Sequence, residues 1–139
     1  MRGLIGLGGT LACALSTAAA AQAPVTIDRA VYVERAINGT RSIEPATTLQ
    51  RGDKVVLILT WQAHSATRGF TVSSRIPPTL LFQRAGSNSI EVSVDGGRSW
   101  GALDNMRVGN RVAAPEDVTN LRWKANASTG RMTFSAIVR

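Results

Sequence analysis

The stretch that most limits what this chain can become is Lys54–Trp61, read Lys-Val-Val-Leu-Ile-Leu-Thr-Trp. β-Branched and aromatic side chains suit a pleated, buried surface, and so short an apolar run reads as a strand rather than a helix. It is entered through Leu49-Gln50-Arg51-Gly52-Asp53. Gly there accepts positive φ and Asp bonds its own backbone, so a turn leads into the strand. Alternation puts Val55, Leu57, Leu59 and Trp61 on one face, the expected core face. Val56 and Ile58 on the opposite face are apolar as well, which predicts a covering loop or a partner.

The rest of the chain repeats this theme at smaller scale. Val25-Thr26-Ile27 and Ala30-Val31-Tyr32-Val33 predict a first strand bent near Asp28-Arg29, and Asn38-Gly39 predicts a tight turn. Ile43 to Leu49 reads as an extended piece, with Pro45 marking an edge. Gly69–Ser74 alternates Phe70 and Val72 with polar residues, and Ile76-Pro77-Pro78 ends it. Thr79 to Arg84 is expected to return Leu80, Leu81 and Phe82 to the core. Ile90, Val92 and Val94 alternate with Glu91 and Ser93 before the turn Asp95-Gly96-Gly97. Met106–Val108 reads as a short strand and Ala114-Pro115-Glu116-Asp117 as one helical turn. Leu121 and Trp123, then Met132, Phe134, Ala136 and Val138, are expected core positions of two closing strands. No amphipathic segment of helical length follows residue 21. About seven or eight short strands separated by turns predict an all-β fold, an antiparallel immunoglobulin-like β-sandwich.

The first 21 residues read as a secretion signal: Arg2, an apolar stretch from Leu4 to Leu15, and a small-residue zone over Ser16–Ala23. Cleavage is expected after Ala21, because cutting after Ala23 would set Pro24 directly beyond the bond. The apolar stretch is too short to span a bilayer. The expected organisation is therefore a signal over 1–21 and one β-sandwich domain over 22–139, periplasmic or extracellular, with no transmembrane segment after cleavage. Cys13 is the only cysteine and leaves with the signal. Thr10 stands where a lipoprotein signal would carry leucine, three positions before the cysteine, so lipidation is not expected. The remaining 118 residues can form no internal disulfide and must rely on their apolar core.

Removing Arg2 leaves 15 Lys and Arg against 9 Asp and Glu, a net charge of +6. The basic residues are scattered singly, whereas a nucleic-acid binder concentrates them. Nucleic acid is therefore not an expected partner. An envelope protein or an anionic polysaccharide fits the charge better.

Two resemblances follow. Leu49-x-x-Gly52-Asp53-x-Val55, Phe70-x-Val72, Ile76-Pro77-x-x-Leu80 and Gly130-x-x-x-Phe134-x-x-x-Val138 resemble the bacterial DUF11 conserved-repeat domain. The resemblance implies an immunoglobulin-like module in exported and surface proteins, with no assigned catalytic activity. Gln62 stands where that family usually carries asparagine, and Ser74-Arg75 where it carries an acidic residue before Leu-Pro. Ser93-Val94-Asp95-Gly96-Gly97-Arg98-Ser99-Trp100 resembles an Asp-box, which in sialidase-like propellers is a structural hairpin away from the catalytic centre. One copy cannot build a propeller. The expectation is a structural hairpin of Ser93, Asp95, Gly96, Gly97 and Trp100, with Asp95 and Arg98 as ligand contacts the competing reading.

Chemistry-bearing residues are sparse. His64 is the sole histidine, so no histidine pair can hold a metal. Ser65, His64 and Asp53 could be written as a triad, but no nucleophile elbow surrounds them. Asp95, Asp104, Glu116 and Asp117 could include a glycosidase pair only at a fixed separation across a cleft. Glu116-Asp117 lacks the further oxygen ligands of a calcium loop. No catalytic, metal or cofactor residue is expected. Trp61, Trp100 and Trp123 could form a sugar platform but suit a core equally. Asn38-Gly39-Thr40 and Asn126-Ala127-Ser128 are formal glycosylation sequons. An intramolecular crosslink would need Lys54 or Lys124 beside an asparagine and a buried acid. The sequence thus points to a non-catalytic exported module with a structural or interaction role. The alternative is a small carbohydrate-binding module using exposed tryptophan and arginine.

Overall fold

A computed structural model describes residues 25–63, 69–87 and 89–139 of the chain. The signal segment with Cys13, the cleavage zone through Pro24, and His64 with Ser65 lie outside the described residues. The first strand, β1 (Val25–Ile37), and β2 (Thr40–Pro45) form a hairpin about Asn38 and Gly39. Both turn residues have positive φ, 52° and 78°, the backbone that matches the twist of flanking strands in a two-residue turn. The predicted bend at Asp28-Arg29 does not occur. β3 (Lys54–Ala63) pairs with β1 continuously from Val25 to Glu34 and holds it as one strand. The second strand stops at Pro45, and Leu49 is 42% exposed in the connection.

The turn before β3 closes on itself. Asp53 accepts from the Gln50 backbone N–H at 2.8 Å, and Asp53 N donates to the Gln50 carbonyl at 3.0 Å. β4 (Phe70–Arg75), β5 (Leu80–Ala85) and β6 (Glu91–Ser93) follow. A tiny hairpin, β7 (Arg107–Val108) with β8 (Arg111–Val112), sits between two single 3₁₀ turns, Leu103–Asn105 and Pro115–Asp117. β9 (Asn120–Ala125) and β10 (Thr129–Val138) complete the order.

The all-β antiparallel sandwich predicted from strand spacing is the fold. The described residues form ten strands rather than about seven or eight; the extended piece near Ile43 and the short strand near Met106 are β2 and β7, and β8 is the strand with no counterpart among the expected ones. Sheet A has five strands in the order β2-β1-β3-β10-β5, and sheet B three in the order β4-β9-β6. After β3 the chain passes to sheet B (β4), back to sheet A (β5), to sheet B again (β6 and β9, with the β7–β8 pair between them) and returns to sheet A, where β10 lies between β3 and β5 rather than at an edge. Among the described residues no helix is long and apolar enough to cross a membrane.

The core lies between the sheets. Val55, Leu57 and Leu59 point into it at 0%, 7% and 1% exposure, meeting Val72, Leu121 and Trp123 from sheet B. Met132, Phe134 and Ala136 join from β10. Val56 and Ile58 are half-buried on the outer face of sheet A, in register with Tyr32 and Ala30 of β1 and Ser135 and Thr133 of β10. Leu81 faces outward with them, while Leu80 and Phe82 are core. β6 ends at Ser93, which is fully buried, so the period-2 pattern through Val94 breaks one residue early. The cause is the turn described next.

Candidate functional site

The hairpin between Val92 and Gly101 is the densest set of polar contacts in the fold. Its base is a pair of backbone bonds, Val92 N to Gly101 O at 2.8 Å and Gly101 N to Val92 O at 3.1 Å. Ser93 leaves the strand with its hydroxyl turned into the loop. The Ser93 Oγ donates to Asp95 Oδ1 at 2.7 Å and accepts from Gly97 N at 2.8 Å. The Asp95 carboxylate then takes backbone N–H donors from Arg98 at 3.0 Å and Ser99 at 2.9 Å, and the Ser99 hydroxyl at 2.5 Å. These donors, led by the Ser99 hydroxyl, stabilise the charged form and hold the carboxyl far below the usual carboxylate range. Gly96 and Gly97 have φ of 76° and 93°, a left-handed backbone that glycine adopts without a Cβ clash.

Trp100 folds back over this loop. Its Nε1 donates to the Gly97 carbonyl at 3.0 Å, and a Cβ added to Gly97 would meet the indole at 3.4 Å. Two further residues belong to the cluster and were not among the expected ones. Thr119 accepts from Gly96 N at 3.0 Å, and its hydroxyl and backbone N–H both donate to the Ser93 carbonyl. Arg122 lays its guanidinium 4.6 Å from the Trp100 ring centroid while its Nε meets Glu91 at 2.6 Å. Neither has a local sequence signal. Glu91 and Arg122 are partners only because β6 pairs with β9 across 31 positions.

Of the two ligand contacts weighed from sequence, Asp95 is exposed and accepts three hydrogen bonds at Oδ1 and one at Oδ2, all from within the hairpin. Arg98 is exposed and contributes its backbone N–H to it. The other carboxylates are not brought together with Asp95. Asp117 makes a bidentate pair with Arg111 at 2.6 and 2.8 Å and accepts from Ala114 N at 2.8 Å. The Arg111 guanidinium and that N–H lower its pKa to about 2. Asp104 and Glu116 are exposed in the two 3₁₀ turns. Asp53 is committed to its own turn. Among the described residues no group of three or more His, Cys, Asp or Glu could hold a metal.

The tryptophans do not form a platform together. Trp61 and Trp123 pack on each other with centroids 6.0 Å apart, and Trp123 is 6% exposed. Trp100 stands apart, half-buried under Arg122. Beside it, a concavity of about 720 Å³ on sheet B is lined by Thr71, Glu91, Arg122, Trp123, Lys124 and Asn126. Asn38 and Asn126 are exposed. Lys54 is paired with Glu34 at 3.3 Å on the outer face of sheet A.

The class these features define is an all-β antiparallel sandwich carrying one hairpin closed by its own hydrogen bonds. A scan against family models, a search of curated proteins and a search of solved structures each returned no match.

Proposed function

We infer that the chain is an exported, non-catalytic β-sandwich module of a bacterial cell envelope, with a structural or interaction role. The carrying observation is that the one motif rich in polar groups spends them on itself. Asp95 accepts four donors from Ser93, Arg98 and Ser99, which supports a structural hairpin over a ligand site. Export rests on residues 1–21 and the absence of cysteine beyond Cys13. The resemblance to DUF11 modules supports the same address, and the partner fits an envelope protein or an anionic polysaccharide.

Intact mass and fractionation of the protein made in a bacterial host test the address. Mature protein beginning near Gln22 is expected in the periplasm or medium. Retained Met1, or a lipid mass on Cys13, would overturn it. A glycan-binding screen on wild type and Asp95→Ala tests the role of the hairpin. An Asp95→Ala protein that melts like wild type but loses a glycan would make the hairpin a ligand site.

A further inference from the structure

Sheet A has five strands and sheet B three, so sheet B is too narrow to cover its partner. Among the described residues, the strip that sheet B leaves open runs along β1. Val25 and Ile27 are 41% and 39% exposed, although their register with Ala63 and Trp61 puts them on the face of sheet A that holds the core. Two residues further along β1, Arg29 shares a cavity with β4, an edge strand of sheet B. It pairs with β9 on one side and, among the described residues, with no strand on the other. Between β1 and β4 a cavity of about 120 Å³ reaches into the sandwich. Leu57, Leu59 and Phe134 line it from sheet A, Ser74 lines it from β4, and the exposed Arg29 and Arg75 flank it.

Among the described residues, β4 therefore has a strand on one side only, near partly exposed apolar side chains. An extended segment laid along β4 would take up its ladder bonds. Every second side chain of that segment would turn toward Val25, Ile27 and the cavity. We propose that β4 is a docking edge for an extended peptide segment of another protein, which joins sheet B as a fourth strand. Its alternate residues are apolar, and it carries acidic residues where it passes Arg29 and Arg75.

The charge selects this occupant. Neither Arg29 nor Arg75 takes part in the five ion pairs of the described residues. Acidic flanks would therefore meet two guanidiniums that are in no ion pair among the described residues, although Arg75 also borders a hollow shared with Glu116 and Asp117. A second copy is a poorer fit. β4 reads Phe-Thr-Val-Ser-Ser-Arg with no acid, and the whole chain carries +7, so pairing β4 with its own copy sets like charges together. A polysaccharide lacks the regular N–H and C=O spacing that a strand edge recognises. The proposal rests on the interaction-module reading above and narrows it to one edge.

The test titrates the protein with a synthetic peptide, Asp-Val-Thr-Ile-Asn-Val-Glu, and follows backbone amide shifts. Three control peptides break one requirement each: Asp-Thr-Val-Val-Ile-Asn-Glu loses the alternation, an alternately N-methylated copy loses the ladder bonds, and a copy with lysine ends loses the charge. Saturable binding with shifts confined to residues 25–29 and 70–75 is expected, and each control should bind roughly tenfold more weakly. Ile27→Asp should weaken the acidic peptide similarly in a protein whose amide spectrum shows it still folded, Ile27 being 39% exposed. Arg29→Glu with Arg75→Glu should prefer the lysine-ended copy. Equal affinity for the scrambled peptide, shifts elsewhere, no binding at millimolar peptide, or a dimer through β4 would overturn the proposal. An envelope pull-down separates the two levels. A partner held equally by wild type and Ile27→Asp would leave the interaction role standing and remove this edge from it. Peptide binding with no envelope partner would do the reverse.

Discussion

Gly130 stands directly opposite Trp61 in the ladder between β10 and β3, and the indole lies across the glycine. A Cβ built on Gly130 would fall 2.0 Å from Trp61 Cζ2, 2.5 Å from Cε2 and 2.7 Å from Cη2. Non-bonded carbons rest about 3.5–4.0 Å apart, so Gly130→Ala must push the ring aside by roughly 1.5 Å. The ring has little freedom to move. It packs on Trp123 at 6.0 Å, and its Nε1 donates to the Ala127 carbonyl at 3.3 Å. Overpacking of this kind costs about 1–3 kcal/mol, and a lost hydrogen bond adds about 0.5–1.5 kcal/mol. Alanine recovers about 0.5–1 kcal/mol of the backbone entropy that glycine loses in a strand. The expected net is a destabilisation of about 1–3 kcal/mol. Urea unfolding of Gly130→Ala, Trp61→Val and the double variant measures it. In the Trp61→Val background the alanine should be neutral or stabilising, which gives a coupling opposite in sign to the single effect. A Gly130→Ala protein as stable as wild type would refute the reasoning, as would the same loss in both backgrounds.

Three further outcomes follow from the same contacts. Leu59→Ala, at a site 1% exposed, should cost about 2–5 kcal/mol, and Ile58→Ala on the outer face should cost clearly less by the same urea assay; the reverse order would mean the strand faces the other way. Asp95→Ala should lower the melting temperature in a pH-dependent way. The folded carboxyl titrates far below an unfolded one, so its stabilisation is fully present above the unfolded pKa of about 4. It is lost as pH falls toward the folded value. The melting gap between wild type and Asp95→Ala should be constant near neutrality and shrink in strong acid. A gap that widens on acidification would contradict the network. Melting of protein beginning at Gln22 should coincide with and without reductant, since Cys13 is the sole cysteine; a reductant-dependent shift would exclude that mature form.

The core strands were legible because each is a local pattern. Val55, Leu57 and Leu59 alternate in a short run bounded by turn residues, and so do Leu121 with Trp123 and Met132 with Phe134. Asn38-Gly39 announces its turn because few other pairs tolerate two positive φ angles in succession. The hairpin at Asp95 was half legible. Its own residues carry the spacing, but Thr119 and Arg122, which fasten it to β9, lie more than twenty positions away. The extent of β1 was misread for the same kind of reason. A strand with Asp28 and Arg29 in its middle looks broken alone, and pairing with β3 makes it continuous.

By itself the sequence determined the all-β class, the face of β3 that enters the core and the positions of the tight turns, because those follow from side-chain alternation and from glycine's backbone freedom. Only the tertiary structure decided which strands are neighbours. It placed β10 between β3 and β5, left sheet B two strands narrower than sheet A, set Trp61 across Gly130 and brought Arg122 over Trp100. Pairing between distant strands depends on the fit of whole sheets across the core, and no local pattern of residues encodes it.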